Sequence, residues 1–180
     1  MLMNYTECVS RYGNAYQIEK LLNSNELFKI EGGIYSDTPD CSELNVLVKK
    51  YPKAVLAGEY AFYHYGFTDL IPEIYSFATC SKATPITDPR VHQIYVQKDI
   101  FPLGVIETEI DDAKVKIYDR ERMLIELLRN KHSMPYDLYK EVLMHYRRII
   151  DSLEIWRIQE YAAIFPKSKL ITKAFDEEVL

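Results

Sequence analysis

An α+β architecture follows from three features of the sequence. Short apolar runs punctuated by Gly, Pro or paired Asp fill the middle of the chain, helical periodicity takes over at Asp119 and persists, and a helix–helix–hairpin pattern opens it. The expected plan is a small winged helix-turn-helix-like module over residues 1–38, followed by an α+β domain over 39–180. That domain is expected to hold a mixed, mostly antiparallel sheet over about 54–118 and helices over about 119–180.

Leu2, Tyr5, Val9 and Tyr12 fall at helical spacing, and Gly13 ends that run. Asn14 is an N-cap for a second helix, Ala15 to Ser24, with Ala15, Ile18 and Leu22 on its apolar face. Tyr16, Gln17, Lys20 and Ser24 lie on or beside the opposite face. Two short runs around Gly32-Gly33 read as a hairpin carrying Lys29, since glycine supplies the positive φ of a tight turn. Asp40 is expected to cap a helix bearing Leu44, Leu47, Val48 and Tyr51. Tyr51 to Pro72 reads as a buried strand at Ala54–Leu56, a short helix rich in Tyr, and an exit at Gly66. Strands are then expected at Ile74–Thr79 and Val91–Gln97, with a hairpin around EIDDAK. Asp119 can cap the next helix, and Pro135 suits the first turn of another. Asp151 or Ser152 is expected to open a third helix, packed through Leu153, Trp156, Ile158, Tyr161, Ala162 and Phe165. Pro166 closes it, and Ser168 starts the last.

Composition bounds the function. The chain has 180 residues, nearly half of them hydrophobic, and no apolar run near the ~20 residues of a membrane span. Its first residues lack the basic and apolar regions of a signal peptide, so a cytoplasmic location is expected. Cys8, Cys41 and Cys80 are an odd, scattered set that suits neither a disulfide framework nor a metal site. Residues 1–40 carry three basic side chains against six acidic ones, whereas 114–180 carry thirteen against eleven. The basic residues Lys140, Arg147, Arg148, Arg157, Lys167, Lys169 and Lys173 form either a nucleic-acid patch or the solvated side of a helical layer.

The segments GGIYSD, YPKAVLAGEYAFYHYGFTDLIP and DRERMLIELLR, with the loop-and-strand region between them and the helical tail, resemble the AbiEi-type antitoxins of type IV toxin–antitoxin and abortive-infection systems. The resemblance spans nearly the whole chain. It implies a transcriptional regulator whose winged helix-turn-helix binds operator DNA of its own operon. It also implies an antitoxin that counteracts a nucleotidyltransferase-like toxin without a stable complex. Under it the recognition helix is Asn14 to Ser24: Gln17 is suited to adenine, Lys20 to guanine or phosphate, and Lys29 on the wing to phosphate.

No catalytic residue, metal or cofactor is expected. His64, His92, His132 and His145 lack ligand spacing, and no phosphate loop or nucleophile motif is present. Asp119-Arg120-Glu121-Arg122 reads as a helix cap with an Arg122–Glu126 pair, or else as a tie of the helix to the sheet by buried hydrogen bonds. Two other functions stay open. One is a protein-interaction module with a degenerate winged helix. The other is a metal-dependent nuclease using Glu107, Glu109, Asp111, Asp112, Lys114 and Lys116 around the hairpin.

Overall fold

The structure, a computed structural model, describes residues 1–180. The fold is α+β, with eight α-helices and two sheets. Two compact units divide it: residues 1–54 with 109–115, and residues 55–108 with 116–180. No helix is long and apolar enough to cross a membrane.

The first unit runs β1 (Leu2–Asn4), α1 (Tyr5–Tyr12), α2 (Ala15–Asn23), β2 (Phe28–Glu31), β3 (Ile34–Ser36) and α3 (Glu43–Lys50). Leu2, expected on the first helical face, belongs instead to β1. The reason is Asn4, which ends the strand and caps α1: its Oδ1 accepts from the Glu7 amide at 2.9 Å, and the Glu7 carboxylate accepts from the Asn4 amide at 2.7 Å. β1 pairs antiparallel with β3, which pairs with β2 across the Gly32-Gly33 turn, where Gly33 has φ +79°. Met3, Cys8, Ile18, Leu27 and Tyr35 form one core cluster of this unit.

The unit extends past residue 38 to 54 because α3 packs on β1 and β3 and buries Leu44, Val46 and Leu47. Asp40 does not cap α3. The helix begins after Ser42, whose hydroxyl donates to Asp111 Oδ2 at 2.7 Å, while Asn45 Nδ2 donates to the Asp111 carbonyl at 2.6 Å. These bonds bring residues 109–115 into the same unit.

The second unit contains β4 (Val55–Leu56), α4 (Gly58–His64), β5 (Tyr75–Cys80), β6 (Val91–Val96) and, outside 109–115, the strands β7 (Val105–Ile110) and β8 (Ala113–Tyr118). Then come α5 (Arg120–Arg129), α6 (Tyr136–Ile149), α7 (Ile155–Ile164) and α8 (Ser168–Glu178). The sheet order is β6-β5-β4-β8-β7. β4 is antiparallel to β5 but parallel to β8, and β6 is parallel to β5. The expected mostly antiparallel sheet is therefore corrected to an evenly mixed one. The cause is the connection 81–90, which is too long for a hairpin and carries the chain back to set Val91 beside Tyr75. Gln93 fixes that crossover: its amide donates to Thr79 Oγ1 and the Thr84 carbonyl and accepts from the Ile86 amide. Asp111 and Asp112 form the β7–β8 turn with φ +50° and +63°, the conformation a two-residue hairpin needs.

Gly66 ends α4 as the spacing predicts. Its amide donates to the Tyr63 carbonyl and the Phe67 amide to the Phe62 carbonyl, the paired bonds of a Schellman motif. α5 packs against α4, α6, α7 and α8 and is buried on nearly every side, which is why its apolar residues do not form a single stripe. The third helix of the tail starts later than expected. Residues Ile150–Ser152 make a 3-10 turn and α7 begins at Ile155. α7 buries Ile158 and Ala162, so Trp156, about 200° around the helix from Ile158, is exposed rather than packed.

Gly104, φ +73°, meets α5 so closely that an added Cβ would lie 2.6 Å from Arg122 Cβ and 2.8 Å from Asp119 Oδ1. Gly104→Ala should therefore cost about 2–4 kcal/mol through backbone strain and overpacking. Gly33→Ala, which meets nothing within 4 Å, should cost about 1 kcal/mol. Urea unfolding of the two variants checks the difference.

Candidate functional site

The exposed side of α2 is built by its inward side. Asn14 Oδ1 accepts from the Gln17 amide at 3.0 Å and starts the helix, and Ile18 is buried in the first unit with Leu21 and Leu22 packed, partly buried, beside it. Helical spacing then leaves Tyr16, Gln17 and Lys20 together in solvent. Ser24 differs from these three. It is the C-cap residue, and its hydroxyl lies within donating reach of the Leu21 carbonyl at 3.2 Å and the Glu26 carboxylate at 2.9 Å, so it secures the helix exit. Lys29 is exposed on β2, opposite Tyr35.

Several acidic residues of 1–40 are neutralised within the unit. Lys49 Nζ lies 2.6 Å from the Glu7 carboxylate, and Lys50 lies 3.5 Å from Glu31. The N-terminal amine pairs with Asp37. The hydrogen bonds from Lys49 and from the Asn4 amide hold the Glu7 carboxyl below its ordinary range. Two of these three partners come from α3, outside the expected 1–38 module, so composition over 1–40 overstates the negative charge.

The seven basic residues of the tail are largely occupied locally. Arg147 Nε donates to the Glu178 carbonyl at 2.6 Å, Arg157 pairs with Glu154 at 2.5 Å and lies over the Trp156 ring, and Lys173 is 3.6 Å from Glu177. Lys140 lies over the Tyr136 ring, and Lys167 holds a left-handed backbone at the start of α8. Arg148 and Lys169 are exposed. Glu178 fastens α8 to α6 by accepting from Lys131 at 2.9 Å and from Tyr139 Oη at 2.6 Å. Burial opposes its ionisation, but the Lys131 and Tyr139 hydrogen bonds outweigh that and hold its carboxyl below the usual range.

The hairpin carboxylates do not converge. Asp111 and Asp112 occupy the turn itself, Asp111 is bonded to Ser42, and no three His, Cys, Asp or Glu side chains form a metal-binding group. Cys8, Cys41 and Cys80 are free thiols.

Asp119, Glu121 and Arg122 are buried and join elements of the second unit. Asp119 Oδ1 caps α5 through the Arg122 amide at 2.7 Å, and its Oδ2 accepts from Tyr161 Oη at 3.0 Å. Burial raises the Asp119 carboxyl despite these bonds. Glu121 accepts from the Glu154 amide at the start of α7. The Arg122 guanidinium donates to Glu126 and to the Ile100 and Leu103 carbonyls, between the rings of Tyr118 and Phe165. The aromatic walls around it were not legible from the spacing of charges.

Comparison with known protein families and with curated proteins yields no match to this chain.

Two outcomes follow from these buried charges. Arg122→Met should destabilise the protein by about 3–5 kcal/mol, and Arg122→Lys should recover little of that, since an ammonium lacks the planar fork; chemical denaturation measures both. Glu178 has a lowered folded pKa, so its contribution is present above the ordinary carboxyl value and lost as pH falls through the folded one. Glu178→Gln should lower stability at neutral pH and flatten its decline between about pH 5 and 3, as read by urea unfolding at each pH.

Proposed function

We propose that this chain is a DNA-binding transcriptional autorepressor and antitoxin of a bacterial type IV toxin–antitoxin, antiphage abortive-infection system. It binds operator DNA of its own operon and counteracts a nucleotidyltransferase-like toxin without a stable complex. The observation that carries the DNA half is the face of α2, where Tyr16, Gln17 and Lys20 project into solvent and make no contact that the fold needs. The order β1-α1-α2-β2-β3, with β1 closing on β3, supports a winged helix-turn-helix in which α2 follows α1 across Gly13-Asn14 and the β2–β3 hairpin follows as the wing. The neutralisation of Glu7 and Glu31 by α3 removes part of the repulsion that phosphates would otherwise meet.

With Lys20 and Lys29 as the phosphate-facing cations, affinity should fall with salt at a slope of about −2 per protomer in log–log form. A gel-shift titration against DNA upstream of the protein's own gene tests this. The full chain should give a saturable shift. Lys20→Ala should weaken it and reduce the slope by about 1, and Gln17→Ala should cost about 1–3 kcal/mol on the specific site alone. A shift unaffected by both substitutions, or none at low salt, overturns DNA recognition by α2. The antitoxin half is tested separately, by whether co-expression restores growth to cells producing the nucleotidyltransferase-like protein of the same operon.

A further inference from the structure

The segment from Gly66 to Ile74 is held firmly yet exposes three adjacent aliphatic side chains. Phe67 is buried against the Tyr146 ring at 4.6 Å, and Thr68, 3% exposed, donates to the Glu141 carboxylate at 3.1 Å and accepts from the Leu70 amide. The Asp69 amide donates to the other Glu141 oxygen, and beyond Ile74 the chain enters β5. Between these anchors Leu70, Ile71 and Ile74 are 64%, 71% and 47% exposed. Anchored at Phe67, Thr68 and Asp69 on one side and by β5 on the other, the loop presents these side chains with part of its ordering cost met by the fold.

Beside the loop lies a groove of about 500 Å³, bounded by those three side chains and by Pro72, Leu138 and His92. Its charged lining is acidic: Glu59 and Glu73 face it, no Lys or Arg does, and neither carboxylate is engaged in an ion pair. A smaller cavity of about 140 Å³ shares Glu59, Ser76 and His92 with it and continues to Phe62, Met123 and Met134. Methionines make such a surface adaptable to the shape of an inserted side chain.

We propose that this groove is a docking site for a basic segment of a partner protein, one that places apolar side chains against Leu70, Ile71 and Ile74 and sets Lys or Arg beside Glu59 and Glu73. Charge selects that occupant. A second copy docked through the same patch would bring Glu59, Asp69 and Glu73 against themselves, because a two-fold contact is self-complementary in shape but not in sign. Nucleic acid and anionic membrane surfaces meet the same repulsion. The site lies in the second unit and uses no residue of α2, so it and the DNA reading stand or fall independently.

The test is fluorescence anisotropy of the full chain with a labelled peptide of about twelve residues, three helical turns of Leu and Lys. One control replaces every Leu by Ser, and another replaces every Lys by Glu. The Leu/Lys peptide should bind saturably and the controls should not. Ile71→Asp and Glu73→Lys, both at exposed positions, should each weaken binding at least about tenfold while leaving the urea midpoint unchanged. Glu160→Lys, an exposed acid on α7, should change it less than about twofold. Absence of saturable binding, equal binding of the Leu-to-Ser peptide, or equal weakening by Glu160→Lys overturns the proposal. So does a concentration-dependent dimer in sedimentation that Ile71→Asp abolishes, since the groove would then belong to a second copy.

Discussion

The second unit depends on one buried cation. Arg122 has no solvent exposure, and removing its charge from water costs several kcal/mol unless the surroundings replace that hydration. They do so from three directions. Four of its five N–H groups have acceptors, shared among Glu126 and the carbonyls of Ile100 and Leu103, while the Tyr118 and Phe165 rings lie over it at 4.5 and 4.3 Å. The guanidinium therefore ties together α5, the loop before β7, the end of β8 and the end of α7. A helix–helix contact made only of Leu and Ile would tolerate sliding; a planar fork facing fixed carbonyls does not.

The tyrosines extend the same logic outward. Tyr118 Oη donates to the Phe101 carbonyl, Tyr65 Oη to the Tyr118 carbonyl, Tyr146 Oη to the Arg120 carbonyl and Tyr161 Oη to Asp119. Burial raises each of these phenols, Tyr161 to about 12, so each remains a protonated donor across the physiological range. Their rings pack around α5 while their hydroxyls bond the carbonyls of Phe101, Tyr118 and Arg120 and the Asp119 carboxylate. A rigid second unit is also what allows the 66–74 segment to hold aliphatic side chains in water: Phe67 and Thr68 are anchored on α6, which is itself fixed to α5 through Tyr146.

In the first unit the energetic arrangement is lighter. Its core holds no buried charge network, and its charge is balanced by lysines of α3. The exposed face of α2 has no structural role in that balance. Gln17 and Lys20 are exposed, so substitutions there leave the packing of the unit undisturbed.

Local physics alone determined much of this protein. Asn14, Gly13, Gly66 and Asp119 mark helix ends because caps and positive-φ turns are satisfied within a few residues, and the Gly32-Gly33 and Asp111-Asp112 turns are likewise local in origin. The outward positions of Tyr16, Gln17 and Lys20 followed from the inward position of Ile18. Long-range pairing decided the rest. Whether β6 lies parallel to β5 depends on where a ten-residue connection lands, and whether Trp156 packs depends on which neighbour Ile158 meets. That Glu7 is neutralised depends on α3, some forty residues away in sequence. A charge pattern such as DRER states that partners exist nearby but not that the walls are Tyr118 and Phe165, because burial is a property of the assembled chain and has no period in the sequence.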